Sequence, residues 1–226
     1  MTFEGFTPAG LAVLAGLEDD NSKAFFEAHR DDYRDGVLEP AKALVIEAGE
    51  RLRATVAPHL TAEPRVNGSI FRINRDIRFS ADKSPYKTQQ AVFLWEGSDK
   101  KGAPGFYVSV SGHEVAVGAG LMGIGDLDRW RAALDDEAVG TEFEKAVDAA
   151  LAALPGASTN EPDLKRVPAP YPADHPRGRW LRHKQLRVSQ TEPLPDEVTR
   201  PAFLDWCVDR WTAVAPVHRW LVDHLS

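Results

Sequence analysis

Apolar residues recur at helical spacing at both ends of the chain and at strand spacing through its middle. Leu11, Leu14 and Leu17 follow Thr7-Pro8, where threonine is suited to the cap and proline to the first helical position. Asp19-Asp20-Asn21 closes this helix and caps a second one that carries Phe25, Phe26, His29 and Tyr33, residues four apart sharing a face. A third helix over Glu39–Ala57 turns Leu44, Val45, Ala48, Leu52 and Val56 inward and ends at Pro58. The period then shortens. Asn67-Gly68 signals a turn, and Ile70, Phe71, Ile73, Ile77 and Phe79 suggest a strand entering a structured loop. Ala91–Trp95 reads as a buried strand. Phe106–Val110 and Glu114–Gly118 alternate about a Ser111-Gly112-His113 turn and form the best hairpin in the chain.

Beyond the hairpin, Gly118–Gly125 is glycine-rich without the Lys-Ser/Thr of a phosphate loop, so close backbone approach at a strand end is its first reading. Helices are expected over Asp126–Leu134 and from a capping box at Thr141-x-x-Glu144 to Leu154. A proline-rich segment, Pro162–Pro176, should lie irregularly over the surface. Lys184–Thr191 then alternates again, with Gln185, Arg187 and Ser189 facing away from the core. Phe203, Cys207, Trp211, Val214, Val217, Leu221 and Leu225 form one stripe of a C-terminal helix, in which Pro216 should introduce a kink or a break. Short links between sequential strands favour antiparallel pairing. The expected architecture is α+β: one domain over 1–226, a mostly antiparallel central sheet with N-terminal and C-terminal helices packed on it.

Composition narrows the function classes. The net charge of −7 argues against a general nucleic-acid coat or an anionic membrane surface as partner. A single cysteine, Cys207, excludes an internal disulfide and a multi-cysteine zinc site. Neither a signal peptide nor an apolar run of membrane-spanning length is visible, so the expected compartment is cytoplasmic. No metal site and no cofactor are expected. The charge is uneven, however. Lys165–Arg187 holds seven Lys/Arg and one acid, Asp174, inside an acidic chain.

The second basic concentration is Phe71–Lys87. Arg72, Arg75, Arg78, Lys83 and Lys87 face only Asp76 and Asp82 there, a surplus of three positive charges. Arginine is suited to two-pronged contacts with carboxylate or phosphate. The run Arg72-x-x-Arg75-Asp76-x-Arg78-Phe79-x-x-Asp82-Lys83-x-x-Tyr86 resembles the signature of a bacterial and fungal family of uncharacterised proteins, domain of unknown function 2461. The resemblance extends to the Asn21–Tyr33 helix, the Gly105–Leu121 hairpin and the Asp163–Arg187 segment. It implies that these residues matter and assigns them no activity.

Two readings of the cluster stand side by side. In the first, Arg72, Arg75, Arg78, Asp82, Lys83 and Tyr86 surround a phosphate- or carboxylate-bearing small molecule, with Asp76 and Tyr86 as candidate catalytic groups if the protein is an enzyme. In the second, Asp76 and Asp82 bridge the arginines into a purely structural network. A module for single-stranded nucleic acid or a protein partner ranks below these, because the acidic remainder would repel a flanking backbone. Whether the two basic segments meet in space is a question for the tertiary structure.

Overall fold

A computed structural model describes residues 2–225. Helix α1 (Pro8–Asp19) begins where the Thr7 hydroxyl accepts from the Gly10 amide. Helix α2 (Lys23–Ala28) is capped by Ser22 and broken at His29, so the expected Asn21–Tyr33 helix is two short pieces. The second piece, α3 (Arg30–Tyr33), runs through a π-helical turn (Arg34–Leu38) into α4 (Glu39–Thr55). In that turn Gly36 lies against Gly10 of α1, close enough that a Cβ on either glycine would collide with the other's backbone.

The sheet is built from β1 (Gln89–Trp95), β2 (Gly105–Ser111), β3 (Glu114–Leu121), β4 (Ser158–Thr159) and β5 (Leu186–Pro193). Its order is β1-β2-β3-β5-β4, with every neighbouring pair antiparallel. Side chains alternate between faces along each strand. Val92, Leu94, Phe106, Val108, Val115, Val117 and Val188 form the core face. Helix α8 (Ala202–Leu225) packs on this face across β2 and β3, and α4 packs on β1. Helix α5 (Leu127–Asp135) and helix α6 (Glu137–Ala153) close the layer beside α8. Large apolar side chains buried this completely contribute roughly 1.5–3 kcal/mol each, which is why the helices settle here.

Two local expectations are corrected. Helix α6 starts at Asp136, whose carboxylate accepts the Ala138 and Val139 amides, and not at the Thr141 capping box. Thr141 instead receives a hydrogen bond from Arg177. Helix α8 also continues through Pro216 without a break. The proline is exposed, while buried Val214, Ala215, Val217 and His218 pin both halves to the core.

The proline-rich segment is held by Arg177, 3% exposed. Its guanidinium donates to the Leu134 carbonyl at the end of α5 and bonds Glu137, with Glu144 close by. That anchors the approach to α7 (Gly178–Leu181) and β5. No helix among the described residues is long and apolar enough to cross a membrane.

Candidate functional site

The arginine-rich stretch is not a strand. Residues 69–75 run antiparallel along the free edge of β1 and its extension through isolated bridges: Ile70 with Val92, and Asn74 with Tyr86. The Phe71 amide donates to Ala91, the Lys87 amide to Ile73 and the Arg75 amide to Pro85. This covers an edge that would otherwise expose unpaired backbone groups. Residues 76–83 form the tip of the excursion.

Polar side chains secure the two arms. The Asn21 carboxamide accepts the Tyr86 amide at 2.9 Å and donates to the Tyr86 carbonyl at 3.2 Å, so helix α1's end grips the returning arm as a strand would. Tyr86 itself is buried and stacks on Phe26 at 4.3 Å. On the outgoing arm, Gln90 donates to the Phe71 carbonyl and accepts from the Tyr33 hydroxyl.

The structure separates the predicted site residues. Arg78 makes a two-pronged contact with Asp76 at 2.9 and 2.7 Å on the exposed tip, beside Phe79, which is 96% exposed. Arg75 pairs with Asp82, and Asp82 also accepts from the Ser84 amide and hydroxyl. Lys83 donates to the Ile77 carbonyl within the tip. The Arg72 side chain makes no hydrogen bond or ion pair among the described residues. The Arg78 hydrogen bond holds the Asp76 carboxyl below its ordinary value, and the Ser84 bonds do the same, more strongly, for Asp82. A carboxylate so stabilised is a weak base. Asp76 and Tyr86, the candidate catalytic pair, lie apart: one on the tip, the other in the core.

Two cavities adjoin this excursion. The first, about 490 Å³, lies between the end of α1 and the loop, with Arg75, Asp82, Ser84 and Tyr86 in its wall. Its cations, Arg75 and Lys87, are matched by Glu18 and Asp82. The second, about 460 Å³, is a groove across the outer face of the sheet, opposite the face on which α8 packs. It contains Lys87 and Arg187 and, among the described residues, no carboxylate. Lys87 belongs to the walls of both cavities.

Strand register builds the groove floor. Ala91 pairs with Ser109, Ser109 with Ala116, and Ala116 with Thr191, giving a row of small side chains across four strands. The next row carries Phe93, Tyr107, Gly118 and Ser189, large on one side and small on the other. A Cβ on Gly118 would strike the Val188 carbonyl and one on Gly120 the Leu186 carbonyl, so these glycines serve close strand approach. Burial raises the Tyr107 phenol above its ordinary pKa, while Ser189 and Arg187 pull it partly back, so it stands as a neutral donor at neutral pH.

Cations and rings meet at the β1 end. The Phe71 ring has the Lys87 ammonium 5.3 Å and the Lys100 ammonium 4.1 Å from its centre. Burial lowers the Lys87 pKa, and the charge of Arg72 adds to that. Arg187 brings the second basic segment to the same groove. Elsewhere in that segment Arg177 engages α6, Arg179 engages Trp180 and Thr159, and Arg182 donates to the Gly178 carbonyl. The two basic concentrations therefore share the groove through Lys87 and Arg187 without meeting: Arg187 stands in the row of Gly120, Gly105 and Trp95, and Lys87 lies beyond Gln89 at the other end of β1.

Sequence reasoning missed Tyr107, Ser109, Thr191 and Asn21 as site residues. The first three occupy the outward phase of strands whose alternation was visible, so the phase itself was the available signal. Cys207 is fully buried, and burial pushes its thiol well up, which removes it as a nucleophile. The family model described as a conserved hypothetical protein (DUF2461) matches residues 10–220. No curated protein matches the chain.

Proposed function

The chain belongs to that family of conserved hypothetical proteins, and, since the description names no activity, we propose from the geometry that it binds an anionic small molecule in the groove on the open face of the sheet. The observation that carries this reading is the groove's charge: Lys87 and Arg187 stand in its wall without a carboxylate among the described residues. A phosphate or carboxylate would lie at the Arg187 end of the groove, Lys87 standing at its far end beyond Gln89. An apolar body would lie along the row from Ala91 to Ala116, with the one O–H that the hydrogen-bonded Tyr107–Ser189 pair leaves over available as a donor. Asp82 and Asp76 engage Arg75 and Arg78, which gives those arginines the role of shaping the loop that carries Lys87.

The test is calorimetric titration with benzoate, phenyl phosphate, inorganic phosphate and short single-stranded DNA. Charge-assisted hydrogen bonds contribute roughly 1.5–3 kcal/mol, so Arg187→Gln should weaken a bound aryl anion by about 10- to 150-fold. Arg187 is exposed, so the fold should tolerate the change. Equal affinity in wild type and Arg187→Gln would remove the groove reading.

A second reading rests on the other cavity. Its wall presents two cations and two carboxylates, a pattern matched by a zwitterion. A ligand whose binding is lost in Arg75→Gln and retained in Arg187→Gln would favour it.

A further inference from the structure

The open face of the sheet carries an apolar cluster of its own. Phe93, Trp95 and Ala103 are buried there, apart from the main core, and the half-buried rings of Phe71 and Tyr107 rest against them. Tyr107 shares its row with Gly118 and Ser189, and its hydroxyl is hydrogen-bonded to the Ser189 side chain two strands away. A tyrosine on β2 that reaches β5 must lie along the sheet, across the bare backbone of Gly118. One face of its ring is then pressed on the floor and the other is turned to the groove. The bond to Ser189 holds it so before any ligand arrives.

Cations stand on both sides of this ring at equal reach. Arg187 lies two strands and two residues from Tyr107 in one direction. Phe71, in the row of Ala91, lies two strands and two residues away in the other. At about 4.8 Å between strands and 3.4 Å per residue, each arm is roughly 12 Å and the whole diagonal roughly 24 Å. The Phe71 end is positive because the Lys87 and Lys100 ammonium groups both stand over that ring. Lys87 lines the groove there, as Arg187 does at the other end.

We propose that the groove binds a single strand of nucleic acid about four nucleotides long, laid diagonally from Phe71 to Arg187 with one base stacked on Tyr107. This deepens the proposed function and rests on it for the anion at Arg187. A small aryl phosphate fills one arm of the diagonal. Only a ligand with phosphates on both sides of a planar ring engages both ends. Ala91, Ser109 and Ala116 beneath it offer little to read base edges, so binding is tolerant of sequence. The net charge of −7, which argues against a general nucleic-acid coat, confines the strand to the groove.

The probes are di- and tetrathymidylate, titrated calorimetrically beside phenyl phosphate, inorganic tripolyphosphate and a glutamate tetrapeptide. The tetranucleotide should bind at least about tenfold more tightly than phenyl phosphate, because it adds a second charge-assisted contact to the stacked ring. Its affinity should fall with salt at a slope near −2, about 0.7 for each phosphate held by Arg187, Lys87 and Lys100. Lys87→Gln and Arg187→Gln should each flatten that slope by about 0.7, whereas phenyl phosphate should respond to Arg187→Gln alone. Tyr107→Leu should weaken the tetranucleotide by about 5- to 150-fold, the range for one stacked base. If that variant fails to fold, the two charge variants decide the matter. A tetranucleotide that binds no more tightly than phenyl phosphate, or that is indifferent to Lys87→Gln or to a folded Tyr107→Leu, overturns the strand and leaves the groove reading in place. Tripolyphosphate or the glutamate peptide binding as tightly as the tetranucleotide also overturns it, since neither carries a base. Failure of both phenyl phosphate and the tetranucleotide to bind removes the groove reading as well.

Discussion

Asn21 offers the sharpest test of how the site is held. Its carboxamide makes three hydrogen bonds: it accepts the Tyr86 amide at 2.9 Å and donates to the carbonyls of Tyr86 at 3.2 Å and Leu17 at 2.8 Å. Asn21→Ala removes all three and leaves a partly buried amide without a partner. With net contributions of about 0.5–1.5 kcal/mol per bond, and with water reaching part of the site, the expected loss is about 2 kcal/mol. For a chain of this length that lowers Tm by roughly 4–8 °C. Asn21→Asp is the discriminating variant. It preserves shape and still accepts from the Tyr86 amide, yet it sets a carboxylate oxygen against two carbonyls that had received N–H donors. At pH 7 it should be at least as destabilised as Asn21→Ala. The carbonyls favour the protonated acid, so its folded pKa lies above the unfolded one. The lost stability should therefore return as pH falls through that raised pKa, be fully restored below the ordinary aspartate range, and be absent at higher pH. Thermal melts followed by circular dichroism at pH 7 and pH 4, with hydrogen exchange of the Tyr86 amide, make the measurement. Asn21→Asp melting with the wild type at pH 7 would refute the hydrogen-bond account and leave only packing.

Arg177→Met should cost about 3 kcal/mol, or roughly 6–12 °C in Tm. The buried Leu134 carbonyl loses its donor, while exposed Glu137 regains water, which keeps the loss at the low end for a broken buried pair; a shift under 2 °C would show that the segment is held by its prolines and apolar contacts. The hydrogen bond from His218 holds the buried Glu96 carboxyl below its ordinary value. A depressed folded pKa means that its stabilisation is present above the unfolded value, near 4.3, and lost as pH falls through the folded one. Glu96→Gln should accordingly show a shallower decline of Tm between pH 6 and pH 3 than wild type, and identical acid limbs would assign the decline to other carboxylates.

The candidate site was legible only in part. The basic density of Phe71–Lys87 correctly marked an unusual segment, but charge along a sequence carries no direction. Arg75 and Asp82 are seven positions apart and pair, whereas Arg72, between buried Ile73 and half-buried Phe71, points to solvent. Lys165–Arg187 read as one basic patch, yet Arg177 faces inward and Arg187 outward, because one lies at a helix junction and the other on a strand's outer phase. Asn21 read as a helix cap. Its second role, gripping Tyr86 sixty-five positions later, depends on a loop path that no local pattern encodes.

The sequence by itself determined the architecture. A short apolar run set β1, period-two alternation set β2, β3 and β5, period-3.6 stripes set α4 and α8, and short links favoured antiparallel pairing, because an amphipathic pattern can bury its apolar side in only one kind of element. It also determined that Cys207 would be inert, since a stripe position is a core position. Only the tertiary structure decided which strand face stays uncovered, and hence that Tyr107, Ser109, Ala116 and Ser189 line a groove. That depends on cross-strand register and on where α8 lands, both set by contacts between residues far apart in the chain. It likewise decided that Lys87, and not the arginines before it, stands between the two cavities.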